Sequence, residues 1–273
     1  MAKAGTTIRP RRNILPRFGV ARGLLHHTGR MFALTLDAFR VMFRRPVPFQ
    51  EFVRVSWFIA SVSIVPVILV SLAFGMVTAL QVGNVARQLG AHSQTGAAMV
   101  LAVVREAAPI ATALLIAGAG GSAMTADLGS RKIREEIDAM EVLGVDPVHR
   151  LVVPRIWASM FVAVLLNGFV SVAGIAGGFV FNVILQGGTA GSYLNSFSLL
   201  AQPWDLYFAL IKAAMFGLVA AMVAVYMGLD AKGGPKGVGD AVNRGVVLTF
   251  MLIFFVNIIF TLLYFQLIPQ KLS

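Results

Sequence analysis

A chain of 273 residues that is 58% hydrophobic and 13% charged, with a mean hydropathy of +0.80, lies outside the range of soluble domains, where charged residues run near ~25%. It contains no cysteine, which excludes disulfides and thiolate metal sites. The net charge of +11 does not point to nucleic acid, because eleven of the 23 basic residues precede Trp57, ahead of the first long apolar run.

The first 20 residues are basic but lack an apolar core and a small-residue cleavage site, so no cleavable signal is expected. Residues 1–23 read as a basic, disordered tail. Over about 24–45 the pattern turns amphipathic, with Leu24, Phe32, Leu36, Phe39 and Phe43 set against Arg22, Arg30, Arg40 and Arg44. That arrangement suits a helix lying in the membrane interface, arginines toward anionic headgroups; a cytosolic helix packed on a partner is the alternative.

Five runs are long enough to cross a bilayer, which takes about 20 apolar residues. They cover about 57–80 (with Pro66 inside), 95–124, 154–185, 205–227 and 245–268. A Gly/Ser/Asn-rich loop from Gly187 to Pro203 has room for a short helix around Tyr193–Leu200, and a Gly-rich loop spans Asp230–Gly239. The fold class is therefore an all-α membrane protein, with an interfacial helix followed by five transmembrane helices. Basic residues sort by side: the N-terminal arm, the second loop (Arg131, Lys132, Arg134, Arg150, Arg155) and the fourth (Lys232, Lys236, Arg244) against only Arg87 and Lys271 opposite. This places the N-terminus in the cytoplasm and the C-terminus outside the cell membrane.

Between the second and third spans lies the densest charge in the chain. Residues about 131–144 form an expected short amphipathic helix: Ile133, Ile137, Met140 and Gly144 fall on one side at helical spacing, Arg134, Asp138 and Glu141 on another. Gly144 suits a left-handed stop, and Asp146-Pro147 a cap with a first-turn proline. Such a peg between greasy segments needs a partner. Glu135, Glu136, Asp138 and Glu141 would give polar contacts, Ile137, Met140 and Leu143 an apolar anchor, and Asp146 closes the coupling set.

Within the spans, Arg105 and Glu106 lie about 15 Å along the second helix, near mid-membrane, with Pro109 beside them freeing a carbonyl. Buried charges there either lock helices together or face a wet substrate cavity, and both readings stand. Neighbouring residues diverge by ~100°, so these two need not pair with each other. Lys212 reads as a snorkelling residue near a span end, and Asn167 and Asn257 as interhelical hydrogen-bonders. Small residues enrich three spans: Ala117–Ala123, then Gly174 and Gly178, then Ala213, Gly217, Ala220 and Ala224. These suit packing within the chain or a seam with a second copy.

No phosphate loop, metal constellation or catalytic triad is legible: Gly233-Gly234-Pro235-Lys236-Gly237 has the wrong spacing and no hydroxyl. No enzyme activity is expected. A pump of this kind would take its energy from elsewhere; the alternative is an ion-coupled secondary transporter or channel using Arg105 and Glu106, which the absence of an internal repeat disfavours.

Several motifs occur in one order: Arg105-Glu106-x-x-Pro109, Ala117-Gly118-x-Gly120-x-Ser122-Ala123, Ala126-Asp127-x-Gly129, Glu135-Glu136-x-Asp138-Ala139-Met140, Gly144-x-Asp146-Pro147 and Pro154-Arg155. Together they resemble the MlaE/YrbE permeases of MCE-type lipid ABC transporters, and the wording around Ile133–Pro147 resembles the actinobacterial YrbE branch. The arginine-rich extension before Leu24 is not part of that pattern. The resemblance implies a coupling helix docked on a cytoplasmic ABC ATPase, which would hold the ATP and magnesium, so no cofactor sits in this chain. It also implies a second permease, identical or homologous, around a lipid cavity, with MCE-domain proteins outside and phospholipid, fatty acid or sterol as cargo.

Overall fold

The computed structural model describes residues 18–42, 48–88, 90 and 95–267. The expected disordered tail thus lies outside the described residues up to position 17, and so does the end of the interfacial stretch at 43–47. All regular elements among the described residues are helices: α1 (Phe18–Val41), α2 (Phe49–Gln88), α3 (Gly96–Ile133), α4 (Glu136–Val142), α5 (Val148–Leu185), α6 (Ala190–Leu200), α7 (Pro203–Leu229) and α8 (Gly234–Leu267). Five of them, α2, α3, α5, α7 and α8, are long and apolar enough to cross a membrane.

α1 begins at Phe18, inside the stretch read as tail, because Phe18, Val20, Ala21 and Leu24 already follow a helical apolar pattern. It buries Ala38 against the bundle while Phe32 and Leu36 stay exposed. An ion pair from Arg30 to Asp230, at 3.0 Å, ties it to the end of α7.

α2 has 40 residues, ~60 Å at the helical rise, so it extends well past the hydrocarbon core, and its polar first turns carry Glu51 and Arg54. It runs in the same direction as α5: Glu51 meets Arg155 at one end and Gly83 faces Gln186 at the other. This is the largest contact in the bundle, and it is close. A Cβ on Gly75 would overlap the Gly174 carbonyl, and one on Gly177 would come 2.5 Å from the Leu72 carbonyl oxygen. Gly178 faces Met99, and Gly217 of α7 faces Ser159 and Ala163 of α5. The small residues singled out at these positions pack within the chain.

α3 occupies the middle, antiparallel to both, with Gly120 against Ile59 and Val103 against Gly174. Wide π turns interrupt it at Val100–Ala107 and Ile116–Gly121. The first ends just before Pro109, whose ring nitrogen has no N–H to give; lengthened turns absorb that loss, and such turns recur at functional sites. α3 continues through Ile133, well beyond the expected end at Met124. Within that extension Asp127 accepts from Arg131 Nε at 3.0 Å and from the buried Arg155 of α5.

α6 starts earlier than the stretch read around Tyr193, with Thr189 Oγ1 accepting from the Ser192 N–H at its cap. Burial pushes the Tyr193 phenol up to about 12, so its hydroxyl remains a donor to the Ile175 carbonyl near neutral pH. α7 is the most enclosed span, 61% buried in its most apolar window against 11% for α8.

Candidate functional site

Two places combine unusual chemistry with defined geometry: a charged network among α3, α7 and α8, and the α4 peg. Arg105 and Glu106 are adjacent yet serve different partners. The Arg105 side chain, 13% exposed, ion-pairs with Asp205, Nε lying 2.7 Å from Oδ1, while Nη2 donates to Oδ2 at 3.3 Å. Tyr264 donates its hydroxyl to Asp205, and its ring lies 4.9 Å beneath the guanidinium, a cation–π contact. Asp205 also accepts from the Gln202 N–H at 3.0 Å, so one carboxylate caps α7 and neutralises an arginine.

Glu106 turns the other way. Its Oε1 lies 3.0 Å from Lys212 Nζ and accepts from Thr261 Oγ1 at 3.0 Å, and Asn257 Nδ2 donates to Oε2 at 3.2 Å. Lys212 also donates to Thr261 Oγ1 and to the Arg105 carbonyl. Lys212 is thus fully enclosed and paired, not snorkelling: an opposite charge within hydrogen-bond reach outweighs the gain from reaching water. Asn257 behaves as expected. Asn167 does not: it is buried in α5, and neither of its amide atoms meets a hydrogen-bond partner among the described residues.

Depth also differs from the sequence reading. Asp205 is in the first turn of α7 and Tyr264 in the last turn of α8, so the Arg105 pair lies near the end of the bundle rather than mid-membrane. The Glu106–Lys212 pair sits deeper, since Lys212 is seven positions, about 10 Å, further along α7. Both pairs border a cavity of about 170 Å³ whose apolar wall includes Leu101, Phe208 and Phe265. Pro109 is buried in α3 and does not line that cavity.

Sequence reasoning missed Asp205, Lys212, Thr261 and Tyr264 as members. A signal existed. Asp205 and Lys212 are seven apart, and Asn257, Thr261 and Tyr264 follow at four and three, so each set shares a helix face. Two acids and two bases inside spans also balance, as charges in lipid must.

The peg differs from its expected form. One helix over 131–144 is replaced by a break at Arg134–Glu135 and a seven-residue helix, α4. Glu135 has φ of +59°, the only non-glycine residue in the left-handed region among the described residues. The Arg134 and Glu135 N–H groups close the end of α3 on the Ser130 and Lys132 carbonyls. Ion pairs Lys132–Asp138 at 2.5 Å and Arg134–Glu136 at 2.8 Å bridge the break. Glu136 holds the Arg134 guanidinium above its ordinary value by hydrogen bond and charge. Gly144, with φ of +74°, ends the turn after α4, and Asp146 Oδ1 accepts from the Val148 N–H at 2.9 Å, as a cap should.

The faces of α4 correct the expected anchor. Ile137 is 4% exposed and Met140 packs on the same core, so both fasten the peg to its own bundle. What faces outward is Val142, 87% exposed, and Leu143, 78% exposed, with Glu135, Asp138 and Glu141 around them. Val142 was not among the expected contacts.

Comparison with known proteins agrees with this architecture. The Permease MlaE family profile matches residues 52–263, from the first turns of α2 to the last of α8. A probable ABC transporter permease protein of Synechocystis is 36% identical over 192 residues, 70% of this chain and 73% of its own length. One from Rickettsia bellii is 29% identical over 89% of this chain and 94% of its length. The intermembrane phospholipid transport system permease protein MlaE of Haemophilus influenzae is 31% identical over 74% and 78%. With its five apolar spans and a family match over most of its length, the chain belongs to the MlaE permease family.

Proposed function

We propose that this chain is the membrane subunit of an ATP-driven lipid transporter, with its N-terminus and α4 in the cytoplasm, its C-terminus outside, and α4 engaging a separate ATPase. The observation that carries the reading is the exposed face of α4. Val142 and Leu143 stand out in a ring of carboxylates, on a peg packed onto the bundle by Ile137 and Met140, with exposed ion pairs across the break. An apolar centre with a polar rim is the anatomy of a protein contact. The loop bearing it is also one of the basic loops, as a cytoplasmic position requires.

The cargo class is supported by the name of the H. influenzae relative, which makes phospholipid the first candidate ahead of fatty acid or sterol. The cavity at Arg105 and Glu106, about 170 Å³, is smaller than the 300 Å³ or more typical of ligand sites, so one chain supplies part of a wall. A second permease completes it, and MCE-domain proteins receive or deliver lipid at that end. Two experiments test this. A nucleotide-hydrolysing partner should co-purify with the wild-type chain and be lost with Asp138→Lys/Glu141→Lys; retention with both substitutions contradicts the coupling role. Photocrosslinkers at Phe208 and Phe265 should capture lipid, and failure there with capture at the outward-facing Phe255 would place the route elsewhere.

A further inference from the structure

At the α4 end of the bundle, about 35 Å along α3 from Arg105, a second charged cluster has no part in the reading above. Arg155, 2% exposed, donates from Nη1 to the Leu151 carbonyl at 2.7 Å and from Nη2 to Asp127, and Nη2 also lies 3.5 Å from Glu51. It ties α2, α3 and α5 together. Arg131 gives its Nε to Asp127, and no other partner of its guanidinium occurs among the described residues. Arg54 approaches Glu51 only at 3.5 Å and its side chain is 78% exposed.

Three guanidiniums thus share two carboxylates around a cavity of about 290 Å³ whose other wall is apolar, formed by Val55, Phe58 and Met124. An adjoining hollow of about 270 Å³ shares Glu51 and Arg54 and adds Arg150, raising the surplus to two positive charges. Buried or half-buried arginine normally appears with its charge matched. Here Asp127 and Glu51 already serve the buried Arg155, so the half-buried Arg131 and the exposed Arg54 keep donors to spare along the cavity. These point to an anion, and the planar fork of arginine fits phosphate oxygens best. Phe58 of that wall is itself exposed, and with Val62 and Val65, four and then three positions further on, it forms an exposed apolar stripe along α2. A soluble phosphate would gain nothing from that wall, whereas a lipid would place its glycerol and first methylenes on Phe58 and Met124.

We propose that this cluster binds the phosphate headgroup of an anionic phospholipid from the leaflet on the α4 side, held by Arg54 and Arg131 with Arg155 as the buried support. The site is separate from the Arg105 cavity and does not depend on it. The test uses the full chain with its co-purifying partners, exchanged into mixed micelles of phosphatidylglycerol and phosphatidylcholine with identical chains, with retained lipid counted by mass spectrometry. Phosphatidylglycerol should be retained several-fold over phosphatidylcholine, and Arg54→Gln/Arg131→Gln should erase most of that preference. Glu51→Gln, which removes a competing carboxylate, should strengthen it; a purely structural ion cluster would give no gain. Arg244→Gln, on an exposed arginine of α8, should change nothing. Absence of a preference in the wild type, an unchanged preference in the double variant, or equal loss in Arg244→Gln would overturn the proposal. Displacement of the lipid by equimolar glycerol phosphate would identify a soluble anion and overturn the lipid assignment.

Discussion

Glu135 shows how a single residue sets the geometry of the peg. A side chain in the left-handed region costs about 1–2 kcal/mol, and the break between α3 and α4 requires that backbone at this position. Glu135→Gly should therefore raise stability by about 1 kcal/mol, read as a higher unfolding temperature of the detergent-purified chain. The Arg105–Asp205 pair makes the opposite case. Removing Asp205 leaves a mostly enclosed guanidinium without its counter-charge, at a cost of about 3–5 kcal/mol, whereas removing both charges costs far less. Asp205→Leu should fold poorly, and Arg105→Met/Asp205→Leu should recover most of the loss in a thermal-melt double-mutant cycle. Gly144 and Asp146 were readable because stop and cap each have a residue signature. The strain at Glu135 was not, since nothing in a glutamate announces a left-handed backbone.

Among the helices, hydropathy located five spans but misjudged their ends. Residues 125–130 fell between the expected span and the expected peg, and Asp127, paired with Arg131 four residues on and with the buried Arg155 of α5, helps to keep them helical. The Gly75–Gly174 contact illustrates what long-range packing adds: a small residue in sequence does not say which helix it faces. Gly75→Val should wedge α2 from α5 and destabilise the chain by about 1–3 kcal/mol, lowering its unfolding temperature. Gly168→Ala, where an added Cβ meets no neighbour, should leave that temperature within a degree or two of wild type. The face of α4 was half legible. Helical spacing grouped Ile137 and Met140 correctly, but which side the bundle would claim depended on the break at Arg134–Glu135, and that left Val142 outside.

On the scale of the whole molecule, the two polar clusters lie at opposite ends of α3, the central helix that also leads directly to the peg. A push on α4 would reach Arg105 and Glu106 through one helix that carries wide turns at Ile116–Gly121 and Val100–Ala107. The order of motifs in the sequence already pointed to the family; the pairing of Arg105 with Asp205 and of Glu106 with Lys212 required the packed bundle. What matters most is whether the energy of a separate ATPase enters through α4. The direct measurement is the rate of ATP-dependent lipid movement between reconstituted vesicles by the complex carrying Val142→Asp/Leu143→Asp, with folding checked by unfolding temperature. These exposed positions should leave the bundle intact and abolish movement; wild-type rates from that variant would contradict the account.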